Sequence, residues 1–329
     1  MNWKDRPTLV TGAGGFIGSH LVEALVSRGA RVRAFVRYNS RGDVGLLSLL
    51  PAVKGEGLEI IAGDLRDPHA VAEACRGVTH LFHLGALIAI PYSYLHPRQV
   101  VETNVMGTLN VLMAAREAGV ERVIHTSTSE VYGTARMVPI SEDHPLRGQS
   151  PYSASKIGAD KLAESFYCSY DLPVVTIRPF NTYGPRQSAR AVIPTIITQA
   201  LVRDLIYLGA LTPRRDYTYV EDVVDGFLKV AETDRAIGQT INIGSSQEIS
   251  IGDLAQTIIN LIGRNVKIVT DKQRLRPERS EVRRLCADNH KARDLLNWSP
   301  RTSLDEGLLM TVDWISRHLD RYRPGVYQV

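Results

Sequence analysis

Cysteine is scarce. Cys75, Cys168 and Cys286 are the three in 329 residues; they are far apart, and none sits in a CxxC pair or a Cys/His cluster with metal-ligand spacing. A disulfide scaffold and a structural metal are excluded on that ground, and a reducing, cytoplasmic compartment is expected. No stretch approaches the ~18 uncharged apolar residues of a membrane span. Trp3, Lys4, Asp5 and Arg6 give the start of the chain no apolar signal core. Charge of one sign is also missing: 39 basic and 35 acidic side chains leave a net +4, too small an excess to imply nucleic acid. The densest basic run, Arg274, Arg276, Arg279, Arg283 and Arg284, is interrupted by Pro277, Glu278 and Glu281 and lacks interleaved aromatics. It reads as a solvated face or a polyphosphate clamp. With 44% hydrophobic and 22% charged residues, and glycine and proline scattered without period, collagenous, disordered and coiled-coil classes drop out.

What is present is alternation. Short apolar runs at Thr8–Val10, Val32–Val36, Leu58–Ala62, His80–Leu84, Arg122–Thr126 and Val174–Ile177 are separated by amphipathic stretches, which is the βαβ pattern. The runs are apolar on both faces, as in parallel strands covered on each side. Helices over Phe16–Arg28 and Val100–Ala118 are each followed by a glycine, Gly29 or Gly119, where a left-handed cap falls. Beyond residue 180 the alternation loosens, with Pro179, Pro185, Pro194 and Pro213 interrupting it and helices expected at Val192–Arg203, Val220–Glu232, Ile251–Leu261 and Leu304–Leu319. The fold class is therefore α/β, a doubly wound parallel sheet over residues 1–180. A smaller mixed α/β substrate-binding lobe over residues 181–329 is partly interleaved with it.

Thr11-Gly12-Ala13-Gly14-Gly15-Phe16-Ile17-Gly18 lies between the first strand and the first helix. Gly12 permits a tight turn, Gly15 lets backbone approach a pyrophosphate, and Gly18 allows close helix–strand packing, so the segment reads as a dinucleotide site. Asp64, after the third strand, either accepts from an adenine amino group or starts a helix. The second strand ends in Arg37-Tyr38-Asn39-Ser40-Arg41 with no acid for ribose hydroxyls. Arg37, with Asn39 and Ser40, then suits a 2′-phosphate, which leans the reading to NADP over NAD, unless Arg37 is simply a solvated charge.

Tyr152 and Lys156 stand four apart on a helix and project from one face, a spacing in which an ammonium lowers the phenol pKa and makes it a usable base. The fifth strand delivers Thr128, Ser129 and Glu130 to the carboxyl edge of the sheet. His83 is read as an ordinary core histidine rather than a coenzyme contact.

The glycine segment, Thr128, Tyr152 and Lys156 together resemble the extended short-chain dehydrogenase/reductases that act on nucleotide sugars, over nearly the whole chain. The resemblance implies a tightly bound, recycled NAD(P) held by Gly12, Gly15, Phe16, Ile17, Gly18, Arg37, Asn39, Ser40, Asp64, Leu65, Leu84, Ala86, Tyr152 and Lys156. It implies catalysis by Thr128, Ser129, Glu130, Tyr152 and Lys156, and substrate contacts from Tyr92, Thr128, Asn181, Arg186, Val192, Arg215 and Arg276. Arg215 and Arg276 would grip a diphosphate, as a guanidinium fork does well. A homodimer through the two long helices is likewise implied.

Such enzymes begin by oxidising a sugar carbon and diverge by what stands beside the new ketone. A carboxylate there, Glu130, points to a 4,6-dehydratase, although members usually carry Thr-Asp-Glu where this chain has Thr128-Ser129-Glu130. The likeness is to dehydratases of legionaminic-acid-type pathways, which implies UDP- or GDP-linked N-acetylglucosamine as substrate. UDP-glucuronate decarboxylases share the Thr-Ser-Glu, but Asp288 stands where such an enzyme would place a cation. A 5,6-dehydratase that stops at the unsaturated sugar, a C4 epimerase and a non-catalytic NAD(P)-binding protein are the remaining alternatives.

Overall fold

The computed structural model describes residues 2–51 and 57–327. Its strands, in chain order, are β1 (Thr8–Thr11), β2 (Val32–Arg37), β3 (Leu58–Gly63), β4 (His80–His83), β5 (Arg122–Thr126), β6 (Val174–Pro179), β7 (Asn181–Tyr183), β8 (Leu205–Leu208), β9 (Arg214–Tyr219), β10 (Thr240–Ile243), β11 (Glu248–Ser250) and β12 (Lys267–Thr270). Seven of them form one sheet in the order β3-β2-β1-β4-β5-β6-β10, every pair parallel. The order reverses between β1 and β4, which makes the carboxyl ends of those two strands the switch point where ligands bind in such sheets.

Side chains alternate between two cores. Val10, Phe82 and Ile124 face the helices Phe16–Ser27 and Val220–Glu232, packing on Leu21, Leu25 and Phe227. Their neighbours Leu9, Leu81 and Val123 face the helices Gly107–Glu117 and Pro151–Tyr170, packing on Val111, Ala163 and Phe166. A period of two with both faces buried explains why these strands read as unbroken apolar runs. Gly29 and Gly119 hold φ of +82° and +64° just past their helices, as their positions in the sequence led us to expect.

The stretch Val100–Ala118 is not one uninterrupted helix. It begins at Pro97, passes through a π-turn at Glu102–Met106, and resumes at Gly107–Glu117. The extra residue of the π-turn aims Asn104 inward, where its amide donates to the Leu87 carbonyl and to Ser155 Oγ, and its oxygen accepts from Leu87 N–H. Such bulges are set by a tertiary partner, so no hydrophobic period announces them.

The sheet also takes a strand from beyond residue 180. β10 joins the outer edge of β6 after the Val220–Glu232 helix has packed on the sheet. The rest of the second half forms a three-stranded sheet, β11-β9-β7, and a two-stranded one, β12-β8. The helices Val192–Val202, Ile251–Ile262 and Leu304–Arg317 surround a separate core that includes Ile197, Ile206, Leu254, Ile258 and Leu308. No helix among the described residues is long and apolar enough to cross a membrane.

Candidate active site

A cleft of about 1090 Å³ runs from the glycine turn to the second lobe. On the coenzyme side, Gly12, Gly15, Phe16, Ile17, Gly18, Arg37, Asn39, Leu84 and Ala86 line it. The geometry explains the glycines. Gly12 has φ +69°, and a Cβ there would lie 2.7 Å from Gly85 N; a Cβ on Gly18 would lie 2.2 Å from Gly12 O. Gly15 caps the Phe16–Ser27 helix without a side chain, leaving the first-turn N–H groups free for an anion. These residues fit a dinucleotide pyrophosphate.

Besides Lys156, described below, three expected coenzyme contacts are placed elsewhere. Asp64 does not line the cleft; its carboxylate forks onto Arg66, 2.6 Å from Nη2, and that pair beside the strand end takes up its acceptor oxygens. Ser40 is exposed outside the cleft. Leu65 is buried under Gly85 and Gly107. In their place the loop after β2 brings Asp43 to the cleft beside Arg37 and Asn39. That acid lies six residues past Arg37, too far along a loop for the strand-end rule to find it. The Asn39 side chain is occupied by the turn itself, bonding Arg41 N, Asp43 N and Asp43 O.

Thr128, Ser129, Glu130 and Tyr152 line the cleft together. Tyr152 and Lys156 are carried by the Pro151–Tyr170 helix, started by a capping box in which Ser150 Oγ accepts from Ser153 N–H at 3.1 Å. Thr128 caps the following 3-10 turn that carries Glu130. The Glu130 carboxylate makes no hydrogen bond or ion pair among the described residues, yet lies close enough to Tyr152 for its charge to be felt there.

The electrostatics at Tyr152 run against the sequence expectation. Burial pushes the phenol well above its ordinary value, Thr128 draws it partly back, and Lys156 is not among the groups that move it. Lys156 is buried behind the cleft wall and donates to the Thr126 carbonyl at 2.7 Å. Burial pushes its ammonium down to about 8, opposed by the charge of Asp160.

Asp160, one turn further along the same helix, ties the site together. It accepts from Ser127 Oγ at 2.7 Å and from Arg178 Nη2 at 3.0 Å, and lies 3.0 Å from His125 Nε2. Arg178 in turn donates to the Tyr132 hydroxyl, which donates to Asn242. Burial raises the Asp160 carboxyl, and the His125 bond with the charges of Arg178 and Lys156 outweighs it, so the group ends below its ordinary value. His83 is a fully buried core residue, held between Thr11 and Thr108.

On the lobe side, Asn181, Val192, Arg215 and Arg276 line the cleft. Tyr92 and Arg186 do not. Tyr92 packs on His96 with ring centroids 4.5 Å apart and bonds Gln99 of the next short helix, Pro97–Val101. Arg186 turns to Glu23 at 2.6 Å, because its φ of +70° aims it at the Phe16–Ser27 helix. Sequence reasoning passed over Glu281, whose Oε1 lies 3.2 Å from Arg215 and 3.7 Å from Arg276. It also passed over Tyr327, which lines the cleft, as does Arg274 from the basic run. Asp288 bonds His290 outside the cleft, so the missing cation at that position says nothing about decarboxylation. No group of three or more His, Cys, Asp or Glu placed to hold a metal occurs among the described residues.

A seven-stranded parallel sheet with a glycine turn at its switch point, facing a Thr-Tyr pair with its lysine behind, defines an extended short-chain dehydrogenase/reductase. The chain belongs to the family described as GDP-mannose 4,6 dehydratase, whose model matches residues 9–311. It is 36% identical over 316 residues to a UDP-glucose 4-epimerase of Mycolicibacterium smegmatis, covering 93% of this chain and 97% of that one. A dTDP-glucose 4,6-dehydratase of Streptomyces griseus is 33% identical over 324 residues, 97% of this chain and 96% of the relative. Among solved structures, DesIV, the dTDP-glucose 4,6-dehydratase of Streptomyces venezuelae with NAD bound, superposes with a TM-score of 0.87 at 31% identity, covering 96% of this chain and 99% of that one. The protein is thus an enzyme of the nucleotide-sugar 4,6-dehydratase/epimerase group.

Proposed function

We propose that the enzyme is a nucleotide-sugar 4,6-dehydratase acting on UDP-N-acetylglucosamine or its GDP counterpart. One observation carries the reading: the Glu130 carboxylate sits in the cleft beside Thr128 and Tyr152 with no protein partner of its own. An epimerase needs no such base, whereas a dehydratase must remove a C5 proton.

A nicotinamide coenzyme held by the glycine turn would supply a hydride acceptor for C4, a positive charge that favours the Tyr152 phenolate, and the hydride for C6. Tyr152 takes the proton of the C4 hydroxyl, and Thr128 orients the same oxygen. The C4 ketone acidifies C5–H, Glu130 removes that proton, and the C6 hydroxyl leaves as water on receiving it from Glu130 or from a water held by Ser129. The proton Tyr152 took up is released through solvent and Glu130 takes one up and returns it to C5, so the balance is the loss of one water. Lys156, held by the Thr126 carbonyl, keeps positive charge behind the tyrosine while it is protonated.

Arg215 and Arg276 would bind the diphosphate, displacing Glu281 from between them, with Asn181 and Val192 beside the sugar and base. For the coenzyme, Arg37 is the group that would hold a 2′-phosphate and supports NADP; Asp43 beside it would repel one and supports NAD. Mass analysis of the coenzyme released on denaturation decides. The free thiols Cys75, Cys168 and Cys286 accord with a cytoplasmic enzyme, and a homodimer is proposed on the exposed apolar residues discussed below.

The test is incubation with UDP-N-acetylglucosamine, GDP-N-acetylglucosamine, dTDP-glucose and UDP-glucuronate, following product mass. Loss of water with formation of a C6 methyl supports this reading, loss of water without a C6 methyl supports the 5,6-unsaturated branch, and loss of carbon dioxide supports the decarboxylase. The second reading, a C4 epimerase, is favoured by the 36% identity to the mycobacterial UDP-glucose 4-epimerase and would give an isomer of unchanged mass. Glu130→Gln is expected to reduce bound coenzyme with substrate yet lower dehydration at least 100-fold, in line with the usual worth of a positioned acid–base group, ~10²–10⁴-fold. Dehydration at the normal rate would falsify the assignment of Glu130.

A further inference from the structure

The segment after the last long helix folds back onto the cleft, and nothing in the reaction above uses it. Tyr322 is buried in the lobe core, edge-on to Trp314, and its hydroxyl donates to the Gln187 carbonyl at 2.8 Å, in the loop that lines the cleft. Arg203 Nη2 donates to the Pro324 carbonyl at 3.1 Å. Gly325 has φ +80°, a conformation L side chains rarely adopt, and a Cβ there would lie 2.0 Å from Arg203 Cζ, so a side chain at this position is strained and displaces the guanidinium. These anchors deliver Tyr327 to the cleft, where Arg274 Cζ lies 4.8 Å from the ring centroid. Arg274 is itself fixed, 3.2 Å from Asp271 Oδ2 and packed by its backbone on Gly209.

We propose that Tyr327, seated on Arg274 by the 319–327 segment, is a substrate-binding residue whose ring stacks on the nucleobase of the nucleotide sugar. This rests on the nucleotide-sugar reading and extends it. Tyr327, Arg274, Arg215 and Arg276 line one cleft, and Arg274 is two residues from Arg276, so a nucleotide whose diphosphate those arginines hold has its base within the same cleft as the ring. An aromatic ring and a planar guanidinium offer two faces that any base can stack on, and a ring held by a cation–π contact loses little freedom on binding. A folded-back strap is also a way to shield a diphosphate from water without moving a domain.

The test is equilibrium binding of UDP, dTDP and GDP to the full chain and to Tyr327→Ala, Tyr327→Phe and Gly325→Ala. Tyr327→Ala is expected to weaken the preferred nucleotide about tenfold, within the range that base–aromatic stacking supplies. Tyr327→Phe retains affinity, because the ring and not the hydroxyl is used. Gly325→Ala, which alters no cleft residue, weakens binding like Tyr327→Ala by dislodging the strap. With the turned-over substrate, the Tyr327→Ala loss falls on KM more than on kcat. Equal binding by the unaltered chain and Tyr327→Ala overturns the stacking while leaving the enzyme reading in place. Binding of none of the three nucleotides by the unaltered chain overturns both.

Discussion

At the scale of single residues, the helix face carrying Tyr152, Lys156 and Asp160 sets the acid–base range of the site. Lys156 has a pKa lowered to about 8 by burial, with Asp160 holding it up, so the ammonium is lost as pH rises through that value. Turnover is therefore expected to fall on the alkaline side near pH 8. Asp160→Asn removes the opposing charge and should move that limb of the kcat profile to lower pH, a change that loss of packing alone would not produce. The same substitution leaves Arg178 buried without its carboxylate, and breaking such a pair costs about 3–5 kcal/mol, which thermal unfolding would register separately. Tyr152 and Lys156 were identified from residue chemistry before any geometry, because a phenol and an ammonium four residues apart on a helix have a joint use, and Thr128 and Glu130 followed from the family resemblance. Asp43, Glu281 and Tyr327 were not, since each reaches the cleft from a loop whose path no local pattern specifies.

At the scale of elements, the βαβ unit that holds the glycine turn depends on backbone clearance. Gly12→Ala would set a Cβ 2.7 Å from Gly85 N and demand φ +69° of an L side chain. The expected outcome is a loss of about 1–3 kcal/mol of stability, the usual range for overpacking, and protein purified without the coenzyme absorbance of the unaltered chain. Full coenzyme occupancy in that variant would show that the turn relaxes and does not cradle the pyrophosphate. The π-turn at Glu102–Met106 is the element least legible in advance. Its sequence has the ordinary helical period, and it forms because Asn104 gains Leu87 and Ser155 as partners.

At the scale of the whole molecule, the two helices that flank one face of the sheet carry exposed apolar side chains outward. Met106 is 48% exposed, Met113 42% and Tyr170 52%, on the Glu102–Glu117 and Pro151–Tyr170 segments. Large exposed apolar residues on neighbouring helices suit an association surface, and a second copy of the chain is the partner proposed for it. Light scattering is expected to give twice the chain mass, and Met106→Glu with Met113→Glu to give one chain mass while the thermal midpoint of the sheet's unfolding stays well above room temperature. A monomer in the unaltered chain sinks that assignment.

By itself the amino-acid sequence determined the parallel sheet and the glycine turn and marked the Tyr152–Lys156 pair, because each is a local pattern: period two with both faces apolar, glycines at a strand–helix junction, a phenol four residues from a lysine. It did not determine that β10 would close the sheet from beyond residue 180, or that Arg186 and Tyr92 would turn from the cleft to Glu23 and Gln99. Nor did it show that burial, rather than Lys156, would dominate the Tyr152 phenol. Those outcomes belong to tertiary structure. They turn on which distant surfaces meet and how much water they exclude, and desolvation and long-range ion pairing are properties of the packed interior that no stretch of neighbouring residues contains.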